Sequence, residues 1–237
     1  MIHLVIGRRK RGKTTLAYYM ARNCPQRVIF DPRGMIRAAP EARVVTTMRG
    51  FQEGFRALSA AELTELVYTP ADDSFPSAFR YFCACVKTWI VADSHRPLAV
   101  MIDELAFVNP TEPALLWMLR CSEPDVFHIF VTCHRPKDVP TDMRAIADRW
   151  FLFQCRQEHD LEVIEDRCSA AVAAAITRLE EREFVLWDDD TATMKVFRNA
   201  KPWHVPLKRD TPPDGQAIDL GALEGEDISL DTQPKLL

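Results

Sequence analysis

The sequence predicts an α/β fold in which helices flank both faces of a mostly parallel sheet. Short apolar runs, rich in β-branched and aromatic residues, alternate along the chain with amphipathic stretches, and this alternation is typical of strands followed by crossover helices. Hydrophobic residues make up 47% of the 237 residues and charged residues 27%, which is the composition of a chain with a sizeable core. An extensively disordered chain is therefore excluded.

Seven strands are predicted before residue 160, most of them flanked by glycine, proline or aspartate. In chain order they cover residues 2–6, 27–30, 43–46, 66–68, 98–102, 128–132 and 150–153. Stretches with helical spacing of apolar residues predict four helices between and after them. These cover residues 13–23, 74–93, 112–121 and 159–180, the last with a break near Ser169.

A C-terminal β-hairpin is predicted to close the domain. Residues 183–187 and 193–197 are strand-like and flank three consecutive aspartates, a spacing that favours antiparallel pairing. Beyond residue 200 prolines and glycines recur and large apolar residues are few, so little surface is available for burial. We therefore divide the chain into a domain of residues 1–204 and an acidic tail of residues 205–237.

Charge is distributed unevenly although the net charge is only −4. Residues 1–60 carry 12 Lys and Arg against 3 Asp and Glu, and residues 210–237 carry 1 against 7. A basic amino-terminal part favours polyanionic partners such as nucleotides or nucleic acid, while an acidic end is typical of a solvated extension.

Two absences in the sequence bear on cellular location. No apolar run approaches the roughly 18 residues that a membrane-spanning helix needs, and the seven cysteines lack the spacing of a disulfide framework. We expect free thiols, no transmembrane segment and a cytoplasmic protein.

A glycine-bounded basic loop is the strongest functional signal. Residues 7–14 read Gly-Arg-Arg-Lys-Arg-Gly-Lys-Thr between a predicted strand and a predicted helix, which is the pattern of a phosphate-binding loop. Backbone amides of such a loop face the phosphate oxygens, while its lysine and hydroxyl serve the phosphates and Mg²⁺. The predicted ATP-binding residues are Gly7, Arg8, Arg9, Lys10, Arg11, Gly12, Lys13, Thr14 and Thr15, with Lys13 also catalytic and Thr14 also a Mg²⁺ ligand.

Two alternatives stay open at this loop. It could be a basic turn that binds no nucleotide, and some of the four basic residues could simply point into water. Crowded like charges are unfavourable unless an anion neutralises them, so their presence favours a bound triphosphate.

A second motif follows the apolar run at residues 98–102, where Asp103 and Glu104 are adjacent. Neighbouring side chains of a strand point to opposite faces. Asp103 is therefore predicted to serve Mg²⁺ through water, and Glu104 to take the proton of the attacking water as general base. The alternative is a pair of acids that only begins a loop.

His134 is predicted to sense the γ-phosphate. It follows the predicted strand at residues 128–132 in the run Thr-Cys-His-Arg-Pro, and polar groups at the carboxyl ends of strands build the sites of open α/β sheets. A purely structural histidine is the alternative.

Taken in order, these motifs resemble the HerA/FtsK superfamily of DNA-pumping ATPases. The resemblance spans roughly residues 1–197. Besides the phosphate loop and the acidic pair, it includes Asp31-Pro32-Arg33-Gly34 after a strand, Thr132-Cys133-His134-Arg135-Pro136, Asp138-Val139-Pro140 and Ala147-Asp148. The superfamily commonly has glutamine where this chain has His134, so the hydrogen-bonding sensor is kept with a different chemical group.

The resemblance implies an additional-strand, RecA-like P-loop NTPase that hydrolyses ATP with Mg²⁺ and moves double-stranded DNA as a homo-oligomeric ring, expected to be a hexamer. The chain is similar in length to compact viral genome-packaging ATPases, which implies capsid or portal-vertex proteins as partners and the host cytoplasm or the virion as location. Ring motors complete each site with an arginine from the neighbouring subunit, and Arg144 and Arg149 are the candidates. Either arginine could instead pair with Asp142 or Asp148 on the surface.

Three other functions share the nucleotide motifs. A phage assembly or secretion protein of the zonula occludens toxin type is similar in its ATPase motifs and would act on protein partners. A nucleotide-dependent switch that selects its partners would use the same residues. A phosphoryl-transferring kinase is disfavoured by the pair Asp103 and Glu104 and by the lack of an arginine-rich lid in the sequence.

Overall fold

The computed structural model describes residues 1–71, 75–92, 96–120 and 126–198, together with the backbone of Gly225–Ile228. Its strands in chain order are β1 (Ile2–Ile6), β2 (Gln26–Phe30), β3 (Arg43–Val45), β4 (Glu65–Tyr68), β5 (Leu98–Ile102), β6 (Phe127–Cys133), β7 (Arg149–Phe153), β8 (Phe184–Asp188), β9 (Thr193–Phe197) and β10 (Gly225–Ile228). Its helices are α1 (Lys13–Ala21), α2 (Met48–Ser59), α3 (Phe75–Val91), α4 (Pro113–Arg120), α5 (Thr141–Ala145), α6 (Glu158–Arg167) and α7 (Ala170–Thr177).

One mixed sheet organises the described part of the chain. The ten strands described follow the order β10-β9-β8-β7-β1-β6-β5-β2-β4-β3. The seven strands from β7 to β3 in this order pair in parallel, and β7, β8, β9 and β10 pair antiparallel. The predicted α/β class, the mostly parallel sheet and the C-terminal hairpin of β8 and β9 are confirmed.

Strand β6 lies between β1 and β5. The phosphate loop follows β1, and the acidic pair follows β5. Ile6 of β1 lies opposite Cys133 of β6, and Ile102 of β5 lies opposite Val131. The inserted strand confirms the predicted additional-strand arrangement. Because all three strands run parallel, the residues that follow them meet at one edge of the sheet.

Helices cover the two faces of the sheet unequally. Leu16 and Met20 of α1 pack with Val5 and Ile29 on one face. The core on the other face is larger and takes side chains from α2 through α7, among them Phe51, Phe79, Leu115, Met143, Ile164 and Val172. Burial of each large apolar side chain contributes about 1.5–3 kcal/mol to stability, so the larger core contributes more. Helix α1, which follows the phosphate loop, packs on the face with the smaller core.

Helix α2 lies where the sequence predicts none. Thr47 caps it by accepting a hydrogen bond from the Gly50 amide at 3.0 Å, and Phe51 and Phe55 bury its apolar side. Glycines weaken a helical pattern. A Cβ atom on Gly54 would lie 2.6 Å from a terminal methyl group of Leu66, which would then have to shift.

The predicted break near Ser169 is confirmed. Helix α6 ends at Arg167 and α7 begins at Ala170. The Ser169 hydroxyl accepts a hydrogen bond from the Val172 amide at 3.2 Å, which satisfies one free donor of the first turn of α7.

Some predictions fall on residues that the structure does not describe. Residue 74, the start of the second predicted helix, and most of the predicted tail at residues 205–237 lie outside the described residues, so the division at residue 204 stays a prediction. Within that tail the backbone of β10 is described, and it extends the sheet antiparallel to β9 with Asp227 opposite Lys195. In the described ranges, no helix has the length and apolar character needed to cross a membrane.

Candidate active site

The turn between β1 and α1 requires glycine at both of its ends. A Cβ atom on Gly7 would lie 2.5 Å from Cβ of Phe153, closer than atoms can pack. Gly12 has a φ angle of 99°, which side chains with a Cβ atom rarely adopt. The Gly7 amide also donates to the carbonyl of Cys133 at 3.1 Å. Gly7 is therefore required by the close approach of Phe153, and Gly12 by its backbone angle.

The four basic residues of the loop have different surroundings. Arg8, Arg9 and Lys10 are exposed, as one of the alternatives expects. Arg11 instead donates to Oε1 of Gln154 at 2.8 Å, which anchors it to the segment after β7. Three of the four cations therefore remain accessible to an anion.

Lys13 begins α1 and is 6% exposed. Its ammonium group donates to the carbonyl of Arg8 at 3.2 Å and lies 3.2 Å from Nδ1 of His134. Burial lowers the pKa of Lys13, while the charges of Glu104 and Asp103 act in the opposite direction. The loop thus holds its own lysine close to both acids.

Thr14 and Asp103 are in direct contact. The hydroxyl groups of Thr14 and Thr132 each donate to Oδ1 of Asp103 at 2.8 Å. Burial raises the pKa of Asp103 to about 6, and these hydrogen bonds counter part of the rise. Thr132 also accepts the amide of Glu104 at 2.8 Å, so one side chain of β6 fixes both acids. Thr15, the next residue along α1, is exposed.

The predicted Mg²⁺ ligands suit that ion in kind. Thr14 and Asp103 supply hard oxygen donors, and the ionised form of the buried Asp103 gains from a nearby cation. Across the described ranges, no group of three or more His, Cys, Asp or Glu is arranged to hold a metal by itself. Mg²⁺ would therefore take its remaining ligands from phosphate oxygens and water, as is usual for this ion at nucleotide sites.

Glu104 has a left-handed backbone, with φ 57° and ψ 69°. This conformation costs a residue other than glycine about 1 kcal/mol or more. The directions predicted for Asp103 and Glu104 assume the alternating faces of a strand, and that reasoning is wrong here because β5 ends at Ile102. The left-handed turn instead brings Glu104 to His134 at the end of β6.

The two carboxylate oxygens of Glu104 differ. Oε2 lies 2.7 Å from Nε2 of His134 and 3.3 Å from Nη1 of Arg33. Oε1 is buried, and nothing in the described part of the chain forms a hydrogen bond with it. A carboxylate held through one oxygen leaves the lone pairs of the other for a proton of a bound water.

His134 bridges the phosphate loop and the acidic pair. Because the Lys13 ammonium has only donors, Nδ1 of His134 accepts from it, and Nε2 then carries the ring proton and lies 2.7 Å from Oε2 of Glu104. Burial and the charge of Lys13 lower the pKa of His134, and the charge of Glu104 opposes them. Arg9 Nε lies 3.4 Å from the same Nε2. This approach is a contact and not a hydrogen bond, since both nitrogens carry hydrogen.

The two arginines considered for action on a neighbouring subunit have partners in their own chain. Arg149 donates to Asp188 at 2.9 Å and begins β7, at the sheet edge opposite the phosphate loop. It thus forms an ion pair, although with a different acid from those expected. Arg144 donates to the Thr141 hydroxyl at 3.0 Å. A role for either arginine in a neighbouring site stays a prediction.

Three polar residues of the site are not assigned a role from the sequence. Arg33 contacts Glu104, Thr132 contacts both acids, and Gln154 holds Arg11. Each of the three follows or ends a strand of the parallel sheet. The signal that identifies His134, a polar group at a strand's carboxyl end, applies to them as well.

Comparison with known proteins identifies the fold. No family model matches the sequence, and a search of curated proteins finds no match. The genome-packaging NTPase B204 of Sulfolobus turreted icosahedral virus 2, solved in complex with AMPPCP, has a TM-score of 0.64 and 17% identity over 83% of this chain and 95% of that chain. The bacterial conjugative coupling protein TrwB has a TM-score of 0.55 and 14% identity over 78% and 81%. VirB4 of Thermoanaerobacter pseudethanolicus has a TM-score of 0.53 and 10% identity over 78% and 86%.

At such identities the likeness establishes the fold. The chain has the fold of P-loop ATPases, in the form found in a viral genome-packaging NTPase, a conjugative coupling protein and VirB4. The fold implied by the motif order in the sequence is confirmed.

Proposed function

We propose that this protein is an ATP hydrolase that moves double-stranded DNA, and that it packages a viral genome. One observation carries the proposal. Lys13, Thr14, Asp103, Glu104 and His134 form one cluster of polar contacts at the edge of a fold that resembles a genome-packaging NTPase.

ATP binding is assigned to the loop of residues 7–14. Its amides and the amino terminus of α1 offer donors and a positive dipole to the phosphates, and Lys13 adds a charge for the β- and γ-phosphates. Mg²⁺ at Thr14 and Asp103 would neutralise charge that develops on the phosphate oxygens. The complexes of B204 with AMPPCP and with ATP-gammaS support nucleotide binding by this fold.

Hydrolysis is assigned to Glu104 and His134. Oε1 of Glu104 takes a proton from water as the water oxygen bonds to the γ-phosphorus. The bond from that phosphorus to the bridging oxygen breaks, and ADP leaves with the electron pair. His134 is hydrogen-bonded to Lys13 and lies 2.7 Å from Glu104, so a change in the γ-phosphate contacts of Lys13 reaches the base through one ring.

Action on DNA is proposed from the structural neighbours and from charge. B204 is a genome-packaging NTPase and TrwB a conjugative coupling protein. The 12 Lys and Arg among residues 1–60 of this chain favour a polyanionic partner.

The proposed assembly is a homo-oligomeric ring of six subunits. Arg144 or Arg149 would complete the site of the neighbouring subunit. Capsid or portal-vertex proteins would be the docking partners, in the host cytoplasm or the virion.

An ATPase assay titrated with DNA of several types tests this function. We expect hydrolysis that requires Mg²⁺ and rises with double-stranded DNA, and we expect this rise to shrink as salt increases because phosphate contacts release counterions. Sizing with and without ATP reports the ring. Hydrolysis indifferent to every DNA would refute translocation and favour a nucleotide-dependent assembly protein that acts on protein partners.

A further inference from the structure

We propose that Arg33 is a positioning residue for Glu104, a role that rests on the proposed ATP hydrolysis. Arg33 lies in the turn after β2, and its Nη1 is 3.3 Å from Oε2 of Glu104. Nε2 of His134 lies 2.7 Å from the same oxygen. Two nitrogen groups that follow different strands therefore contact one oxygen of the carboxylate.

The second oxygen of Glu104 indicates the consequence of these two contacts for catalysis. Oε1 is buried, and it has no hydrogen-bond partner among the described residues. A buried polar atom is unfavourable without a partner, and a bound water is the usual one. With Oε2 occupied by Arg33 and His134, Oε1 is the oxygen left to take a proton from the attacking water.

The turn that carries Arg33 is fixed by a buried acid. Asp31 is 1% exposed, and its two carboxylate oxygens accept the amides of Arg33 at 3.3 Å and of Ile36 at 2.8 Å. Its carbonyl accepts the Gly34 amide at 3.3 Å, and the ring of Pro32 fixes the backbone between them. The arginine therefore starts from a defined backbone position.

An aromatic ring confines the guanidinium group further. Cζ of Arg33 lies 5.8 Å from the centroid of the Phe107 ring, and Phe107 packs edge-on against Phe75 with centroids 6.1 Å apart. Phe107 lies three residues after Glu104. The same segment thus supplies both the acid and the ring that Arg33 contacts.

Arg33 can act on the base through its charge or through its position. The Arg33 side chain is 34% exposed, so solvent screens its charge and limits the effect of the ion pair to about fivefold. Misplacing a reacting group by about 1 Å reduces a rate up to about a hundredfold. Loss of position is therefore expected to be the larger effect when Arg33 is replaced.

The test compares the kinetics of three arginine variants of the full chain. Arg33→Gln should lower kcat about tenfold, with KM, nucleotide affinity and Tm close to wild type. Arg33→Lys restores the charge without the planar fork and should recover part of kcat. Arg37→Gln, at an exposed arginine of the same segment, is the matched control and should behave as wild type.

The outcomes separate this role from the proposed function. Unchanged or raised kcat in Arg33→Gln overturns the positioning role, and so does a rise in KM at constant kcat, which would make Arg33 a nucleotide-binding residue. If Glu104→Gln is inactive while Arg33→Gln is fully active, the Arg33 role alone fails. If wild type does not hydrolyse ATP, or Glu104→Gln hydrolyses it at the wild-type rate, both fail.

Discussion

His134 Nε2 lies 2.7 Å from Glu104 Oε2, while the opposite ring nitrogen lies 3.2 Å from Nζ of Lys13. The contact exists because β6 stands between the strands that carry the phosphate loop and the acidic pair. One neutral imidazole therefore accepts from the lysine of the loop and presents its other nitrogen to the acid. A change of partner at either end alters the contact at the other.

His134→Gln should preserve this bridge. A glutamine side chain has an oxygen that can accept from Lys13 and an NH₂ group that can donate to Glu104. We expect kcat within about fivefold of wild type, the size of one adjusted hydrogen bond. His134→Leu is similar in size but forms neither bond, and it should lower kcat about a hundredfold. Steady-state ATPase rates at saturating ATP measure both, and equal rates for the two variants would show that hydrogen bonding at this position is irrelevant.

Lys13→Ala and Glu104→Gln should fail in different ways. Lys13→Ala removes a charge that contacts the phosphates, so nucleotide affinity and turnover should both fall at least about tenfold. Glu104→Gln keeps the shape of the side chain but cannot take a proton, so turnover should fall about a hundredfold or more while affinity stays near wild type. Calorimetry with a non-hydrolysable ATP analogue and a phosphate-release assay measure the two properties. Wild-type affinity in Lys13→Ala would contradict the role of that lysine.

The ion pair of Arg135 and Asp160 should contribute to stability. Asp160 is 2% exposed at the start of α6, and Arg135 Nε lies 3.0 Å from its Oδ2. Asp160→Ala should lower the free energy of unfolding by about 2 kcal/mol, because the arginine loses a buried partner but can still reach water. Asp142→Ala is the control, since Asp142 and Arg120 are each 67% exposed and 3.7 Å apart, and it should change stability by less than about 0.5 kcal/mol. Urea unfolding compares them, and equal losses would contradict the burial argument.

The sequence predicts the members of the site better than their geometry. Spacing and flanking strands identify Lys13, Thr14, Asp103 and Glu104 because each belongs to a local motif. Parallel strands bring distant motifs to one edge, which is why His134 is also found from sequence alone.

The rest depends on contacts that no local pattern contains. The left-handed backbone of Glu104 is accompanied by a hydrogen bond from its amide to the Thr132 hydroxyl and by contacts of its side chain, all with residues distant in sequence. Arg33 approaches Glu104 across 71 residues of chain. Helix α2 is not predicted from the sequence because two glycines interrupt its apolar pattern.

A buried histidine far from the site sets an acid sensitivity of the fold. His3 of β1 is 4% exposed and stacks on Phe130 with ring centroids 4.5 Å apart. Burial lowers its pKa well below the ordinary value of 6.5, and the charges of His128, Arg149 and the amino terminus act in the same direction. The unfolded chain therefore binds a proton below pH 6.5 that the native state does not bind, so stability falls as pH decreases through this value.

His3→Gln should reduce this acid sensitivity, because glutamine is polar and does not titrate. Between pH 7.5 and pH 5.5 the wild-type free energy of unfolding should fall by up to about 1.4 kcal/mol more than that of the variant, since protonation of one histidine in the unfolded chain is removed. Urea unfolding at both pH values measures the two losses, and comparing them cancels the carboxylates common to both proteins. Only the change in the free energy of unfolding between the two pH values is compared, so a difference in stability at pH 7.5 between the two proteins does not affect the result. Equal losses in the two proteins would show that His3 is protonated in the native state as readily as in the unfolded chain.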